Sequence, residues 1–244
     1  MKTFVAAVAC SVIGSSAFAQ GTDWQYTLTA YLWGTNTGVT AETPFGTVDA
    51  ELSLSDALKD IDFAFSGTFE ARKDKWSLFT DGIYVKVSPT QLTPRGILAD
   101  DVTVRTQMTI ISGFAGYRVL EQQGMFVDLA GGFRWAKLDS DIDFAGGPLD
   151  GDVFSSSDSW VDPVIGVRVG TQLSDKMTAT LFTDYGGFSG DSSTWQVSAT
   201  LGYELNENWS LVGGYRYMEF DREIDGRDFS MDQSGLLFGA SYKF

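Results

Sequence analysis

Residues 235–244, GLLFGASYKF, put Leu236, Phe238, Ala240, Tyr242 and Phe244 on one side of an extended chain, with Leu237, Gly239, Ser241 and Lys243 on the other. Apolar residues at every second position predict a strand with two unlike faces. The pattern recurs upstream. Trp24, Tyr26, Leu28, Ala30 and Leu32 alternate with Gln25, Thr27, Thr29, Tyr31 and Trp33. Phe63, Phe65, Gly67, Phe69 and Ala71 alternate with Asp62, Ala64, Ser66, Thr68 and Glu70. Ten segments share this patterning, at about 23–34, 61–72, 75–87, 101–119, 125–138, 159–173, 176–188, 194–205, 208–220 and 232–244.

The connections alternate in length. Those near Lys73-Asp74, Leu120 to Gly124, Ser174-Asp175 and Asn206-Glu207 are tight, whereas 35–60, 88–100, 139–158 and 221–231 are long, and only the one near Ser189 to Ser193 is short on that side. An even number of antiparallel strands with tight turns at one end implies an all-β, transmembrane, up-and-down β-barrel of the bacterial outer-membrane type. Eight strands is the alternative, should 75–87 and 176–188 lie outside the barrel. A soluble sandwich also alternates, but here the face opposite the apolar one is rich in Gly, Ser and Thr, with charges spread singly. The aromatics also sort by height. Trp24, Tyr26, Trp76, Tyr203, Trp209 and Tyr242 fall near the tight turns, and Phe63, Tyr84, Trp135, Trp195 and Tyr217 near the long loops. Two such belts suit the two interfaces of a bilayer.

Composition narrows the function. The 244 residues carry a formal charge of −15 and no histidine. An acidic chain without a cationic patch is not expected to bind nucleic acid. The missing histidine removes the commonest general base and excludes Ser-His-Asp and Cys-His mechanisms. No catalytic residue, cofactor or metal site is expected. Met1 to Ala19 read as a secretory signal: Lys2, an apolar run from Phe4 to Ile13, then Ala17-Phe18-Ala19 as the cleavage site. The barrel would then be residues 20–244. The one cysteine, Cys10, lies in the leader.

The C-terminal strand, with Phe238, Tyr242 and Phe244, resembles the β-signal read by the outer-membrane assembly machinery. The stretches DPVIGVR (162–168), DYGGF (184–188) and GYRY (214–217) are similar to motifs of a family of small Gram-negative outer-membrane β-barrel proteins. The resemblance implies export through the periplasm, an outer-membrane location, and contact with lipid, lipopolysaccharide and the assembly machinery. Enzymatic barrels such as the omptin proteases, outer-membrane phospholipases and lipid A deacylases rely on histidine, and nothing of their sites carries over. Deleting Phe244 is expected to slow assembly in cells, read as a falling amount of heat-modifiable barrel. Normal insertion without it would count against the β-signal.

With the aliphatic face toward lipid, a polar network is expected inside. Its acids are Glu70, Asp81, Asp128, Asp162, Asp184 and Glu204, and its bases Arg72, Arg105, Arg134, Arg168, Arg216 and Lys243. Charges in a narrow lumen need partners, so the sequence implies a charge-paired plug and a structural or surface-interaction role. The alternative is a narrow porin-like channel for ions or small solutes. The acidic excess falls in 139–158 and 221–231, read as solvated loops. Ser55 to Asp60 reads as one helical turn capped by Ser53 or Ser55.

Overall fold

The computed structural model describes residues 24–43, 46–92, 101–190, 192–224 and 226–244. The leader expected at 1–19 lies outside them. The strands are β1 (Gln25–Thr43), β2 (Gly46–Leu52), β3 (Ile61–Lys73), β4 (Trp76–Val87), β5 (Thr90–Leu92), β6 (Asp101–Gln122), β7 (Met125–Ala145), β8 (Val153–Ser174), β9 (Met177–Ser189), β10 (Ser192–Glu204), β11 (Trp209–Ile224) and β12 (Arg227–Lys243). A helix, α1 (Leu54–Asp60), joins β2 to β3. Ten strands close a ring in the order β1-β3-β4-β6-β7-β8-β9-β10-β11-β12, all antiparallel, and β12 returns to β1 from Thr27↔Lys243 to Ala41↔Phe229. These are the ten expected segments. β2 and β5 are short additions outside the ring, on β1 and β6.

Turn chemistry sets one end. Gln123 and Gly124 both have positive φ, 52° and 79°, as a two-residue hairpin turn requires. Burial then runs opposite to that of a water-soluble fold. Leu32, Phe65, Leu129, Leu201, Leu236 and Phe238 are exposed on the outer face, whereas Asp128, Arg134, Asp184 and Arg216 are buried inside. Only a hydrocarbon surround makes that distribution favourable. Trp76 meets Tyr117 at 4.8 Å and Trp209 meets Tyr242 at 4.9 Å at the turn end. Phe63 meets Tyr84 at 5.8 Å and Trp195 meets Tyr217 at 4.8 Å at the other.

The segments 139–158 and 221–231 correct the loop reading. β6, β7 and β8 run for 22, 21 and 22 residues, where about 9–11 suffice to span a bilayer. Above Trp135 the ladder is wet on its outer face, so its composition imitates a loop. Ser157 and Ser155 there donate to Asp139 and Asp141 across the ladder, each at 2.6 Å. The helical turn forms as expected: the Asp56 amide donates to Ser53 Oγ at 3.2 Å. Lys59, with the Ser53 hydroxyl, holds the Asp56 carboxyl below its ordinary value.

Candidate functional site

The inward positions of neighbouring strands stack in layers across the lumen. Nearest the turns, three arginines surround two carboxylates. Arg168 donates to Glu70 at 2.8 and 3.0 Å and to Asp128 at 2.9 and 3.2 Å. Arg72 reaches the same pair at 2.8 and 3.0 Å, and Arg118 reaches Asp128 at 2.9 Å. Asp128 is 1% exposed and Glu70 part-buried, so both need several charge-assisted donors, and Arg118 also pairs with the exposed Glu121 at 3.2 Å. Phe79, Phe114 and Phe182 lie over the layer with centroids 4.8, 5.3 and 5.7 Å apart, and Arg168 faces the Phe79 ring at 4.8 Å.

A second layer is neutral by pairing. Arg134 grips both oxygens of Asp184 at 2.8 Å and donates to Thr194 at 2.8 Å and Ser112 at 3.2 Å. Gln196 donates its amide to Asp184 and accepts from Arg216 at 2.7 Å. Arg216 also reaches Asp81 and the Tyr31 hydroxyl, each at 2.9 Å, and Tyr31 donates to Asp81 at 2.7 Å. The Arg134 and Asp184 side chains have no exposed surface. Such a chain of donors locks rotamers as well as charge, because each arginine fork has one geometry. Above it Arg222 faces Asp162 at 3.5 Å and lies over the Trp160 ring at 4.2 Å.

Nine of the twelve residues expected in the network thus lie within the lumen: Glu70, Arg72, Asp81, Asp128, Arg134, Asp162, Arg168, Asp184 and Arg216. Arg105 does not. It sits half-exposed on the outward register of β6 and pairs with Asp143 at 2.5 Å. Inward positions on β6 are Met108, Ile110, Ser112 and Phe114, so strict alternation from Ser112 selects Arg118 and rejects Arg105. Arg118, Tyr31 and Gln196 were missed; Arg118 was legible by that parity. Arg222, read as a loop residue, is inward on β11. Glu204 and Lys243 are exposed at the turn end. Asp162 and Asp184 hold separate arginines.

The residues of the expected assembly signal line the closing seam. Phe238 faces outward, Tyr242 touches Phe244 at 5.0 Å, and the Phe244 amide donates to the Tyr26 carbonyl at 3.0 Å.

Residues 5–244 match the family model described as outer membrane protein beta-barrel domain. No curated protein matches the chain. Among solved structures, the outer membrane protease OmpT from Escherichia coli superposes with a TM-score of 0.57 at 10% identity, over 91% of this chain and 96% of that one. The translocator domain of the autotransporter NalP from Neisseria meningitidis gives 0.46 at 13% identity, over 93% and 90%. Ail, the attachment invasion locus protein of Yersinia pestis, in complex with the heparin analogue sucrose octasulfate, gives 0.43 at 10% identity, over 91% and 98%. At such identities the OmpT likeness is one of fold.

Proposed function

We propose that this chain, which belongs to the outer-membrane protein β-barrel domain family and resides in the bacterial outer membrane, is a closed, non-enzymatic barrel with a structural and surface-interaction role. The observation that carries this reading is the stacking of two charge-paired layers with an aromatic layer between them. Arg134 and Asp184 are wholly buried and Asp128 is 1% exposed, so a hydrated ion crossing that level would have to separate bonded pairs. The elongated β6–β8 ladder supports the surface role. Its outer face carries Arg105, Lys137, Asp139, Asp141 and Asp143 beyond Trp135, at the height of lipopolysaccharide headgroups. Phe238, Tyr242 and Phe244 are the residues offered to the assembly machinery in this reading.

A narrow channel is the second reading, favoured by a polar-edged cavity of about 220 Å³ between the layers, bordered by Glu70, Asp81, Arg168 and Arg216. Liposome swelling separates the two. Vesicles holding the folded protein should swell in small sugars no faster than empty vesicles, and swelling that scales with protein content would favour the channel.

A further inference from the structure

Above the Arg134–Arg216 layer the lumen turns apolar. Ile83, Met108, Met218 and Met231 belong to a buried cluster there. Beside it lies a cavity of about 820 Å³, bordered on the inside by Val85, Met108, Leu138 and Phe229. That volume falls in the range of roughly 300–1,000 Å³ typical of small-molecule sites. A polar lumen would be the ordinary content of a barrel whose apolar face is already turned to lipid. An apolar chamber inside the wall therefore asks for an apolar occupant.

The wall beside this chamber is broken. The β1–β3 ladder runs from Gln25↔Arg72 to Tyr31↔Ser66 and stops, and β1 is next paired on that side at Thr37↔Leu52, with β2. Among the described residues, Leu32 to Asn36 have no ladder partner on that side. A broken ladder at the level of Leu32 and Phe65, both exposed to lipid, is costly in hydrocarbon. α1 stands in the break. Its attachment to β1 is slight: the Leu54 amide donates to Asn36 Oδ1 at 2.8 Å. The Leu54 side chain lies over Gly34, where an added Cβ would meet it at 3.1 Å. A helix this short draws little stability from its own hydrogen bonds. The cavity borders extend through the break to Leu32, Leu54, Leu58 and Phe65.

One polar group inside the chamber is unsatisfied. Gln233 is 4% exposed, its Nε2 donates to Thr37 at 3.3 Å, and its Oε1 has no partner among the described residues. Buried acceptors of this kind are rare and call for a donor. We propose that the chamber binds a long-chain fatty acid or alcohol, which passes sideways from the outer leaflet through the β1–β3 break with α1 as its lid. The tail occupies the apolar space, and the head O–H, of the alcohol or of the acid in its protonated form, donates to Gln233 Oε1. The inference goes beyond the closed-barrel reading and does not depend on it, since the chamber lies above the charged layers.

The test is photolabelling of protein purified from outer membranes and reconstituted in vesicles that contain diazirine-bearing palmitic acid. Adducts should map to Val85, Met108, Leu138 and Phe229. Met108→Trp, which fills the chamber, should reduce them about tenfold while outward-facing Leu129 is labelled as before. Leu138→Phe is the second variant should Met108→Trp not fold. Gln233→Leu should weaken labelling by the acid but not by a diazirine-bearing alkane. In a Cys10→Ser background, a Gly34→Cys/Leu54→Cys disulfide should block chamber labelling from the bilayer, and reduction should restore it. Chamber labelling that persists in the oxidised protein, with probe in the bilayer or supplied from water on albumin, would overturn the sideways route. Adducts confined to outward-facing residues would overturn the site itself.

Discussion

Arg134→Met should destabilise the barrel by about 3–5 kcal/mol, the range for removing one partner of a buried ion pair, measured by denaturant titration of refolded protein. Arg134 supplies both hydrogen bonds that neutralise Asp184, and neither side chain is exposed. Methionine restores much of the volume but, among the described residues, leaves the carboxylate with the Gln196 amide as its remaining donor. Adding Asp184→Asn to that variant should recover a large part of the loss, because the amide carries no charge. The order of stabilities discriminates. If Arg134→Met alone costs less than about 1 kcal/mol, the value of an exposed pair, the layer is open to water and the closed lumen is wrong.

Leu129→Arg and Leu201→Arg should each cost about 2–4 kcal/mol, as arginine does on the lipid face near the bilayer midplane. Both leucines are half-exposed in mid-strand, at 50% and 49%, and neither is needed to fill the interior. The cost should fall with height. Asp141→Arg lies on the same outward register of β7, twelve residues beyond Leu129 and above Trp135, and should change stability by no more than about 1 kcal/mol. Equal costs at Leu129 and Asp141 would place both in the same medium and contradict the assignment of the apolar face to lipid.

The ring was legible in the sequence because lipid and lumen impose one rule on every spanning residue. Alternation such as Phe63, Phe65, Phe69 against Ser66, Thr68, Glu70 has a single reading there. Outside the bilayer the rule lapses. Asp139, Asp141 and Asp143 alternate with Ser140 and Ile142 in a ladder that is wet on its outer face, so composition pointed to a loop. β2 has the same difficulty, with Asp49 and Glu51 on one side of Ala50 and Leu52. Within the site, membership of the network followed from parity, and Arg105 failed where parity was not applied strictly. Partner choice was not legible. Arg134 is directly across the ladder from Asp162 yet bonds Asp184, two strands along on β9, while Asp162 faces Arg222 on β11. Such pairings are set by the curvature of the closed wall. The β1–β3 break is likewise invisible in sequence, since the alternation of Leu28, Ala30 and Leu32 with Thr29, Tyr31 and Trp33 runs past Tyr31, where pairing with β3 stops.

The most direct test of the closed lumen is planar-bilayer conductance of the folded protein, its fold confirmed beforehand by a heat-modifiable gel shift. The account predicts a silent membrane. Silence should persist when Arg216 and Arg134 are both replaced by alanine, because the Glu70, Asp128 and Arg168 layer and the three phenylalanine rings still block the lumen below the second layer. Steady steps of reproducible size from the unaltered protein would contradict the account, and would make that layer the constriction of a channel.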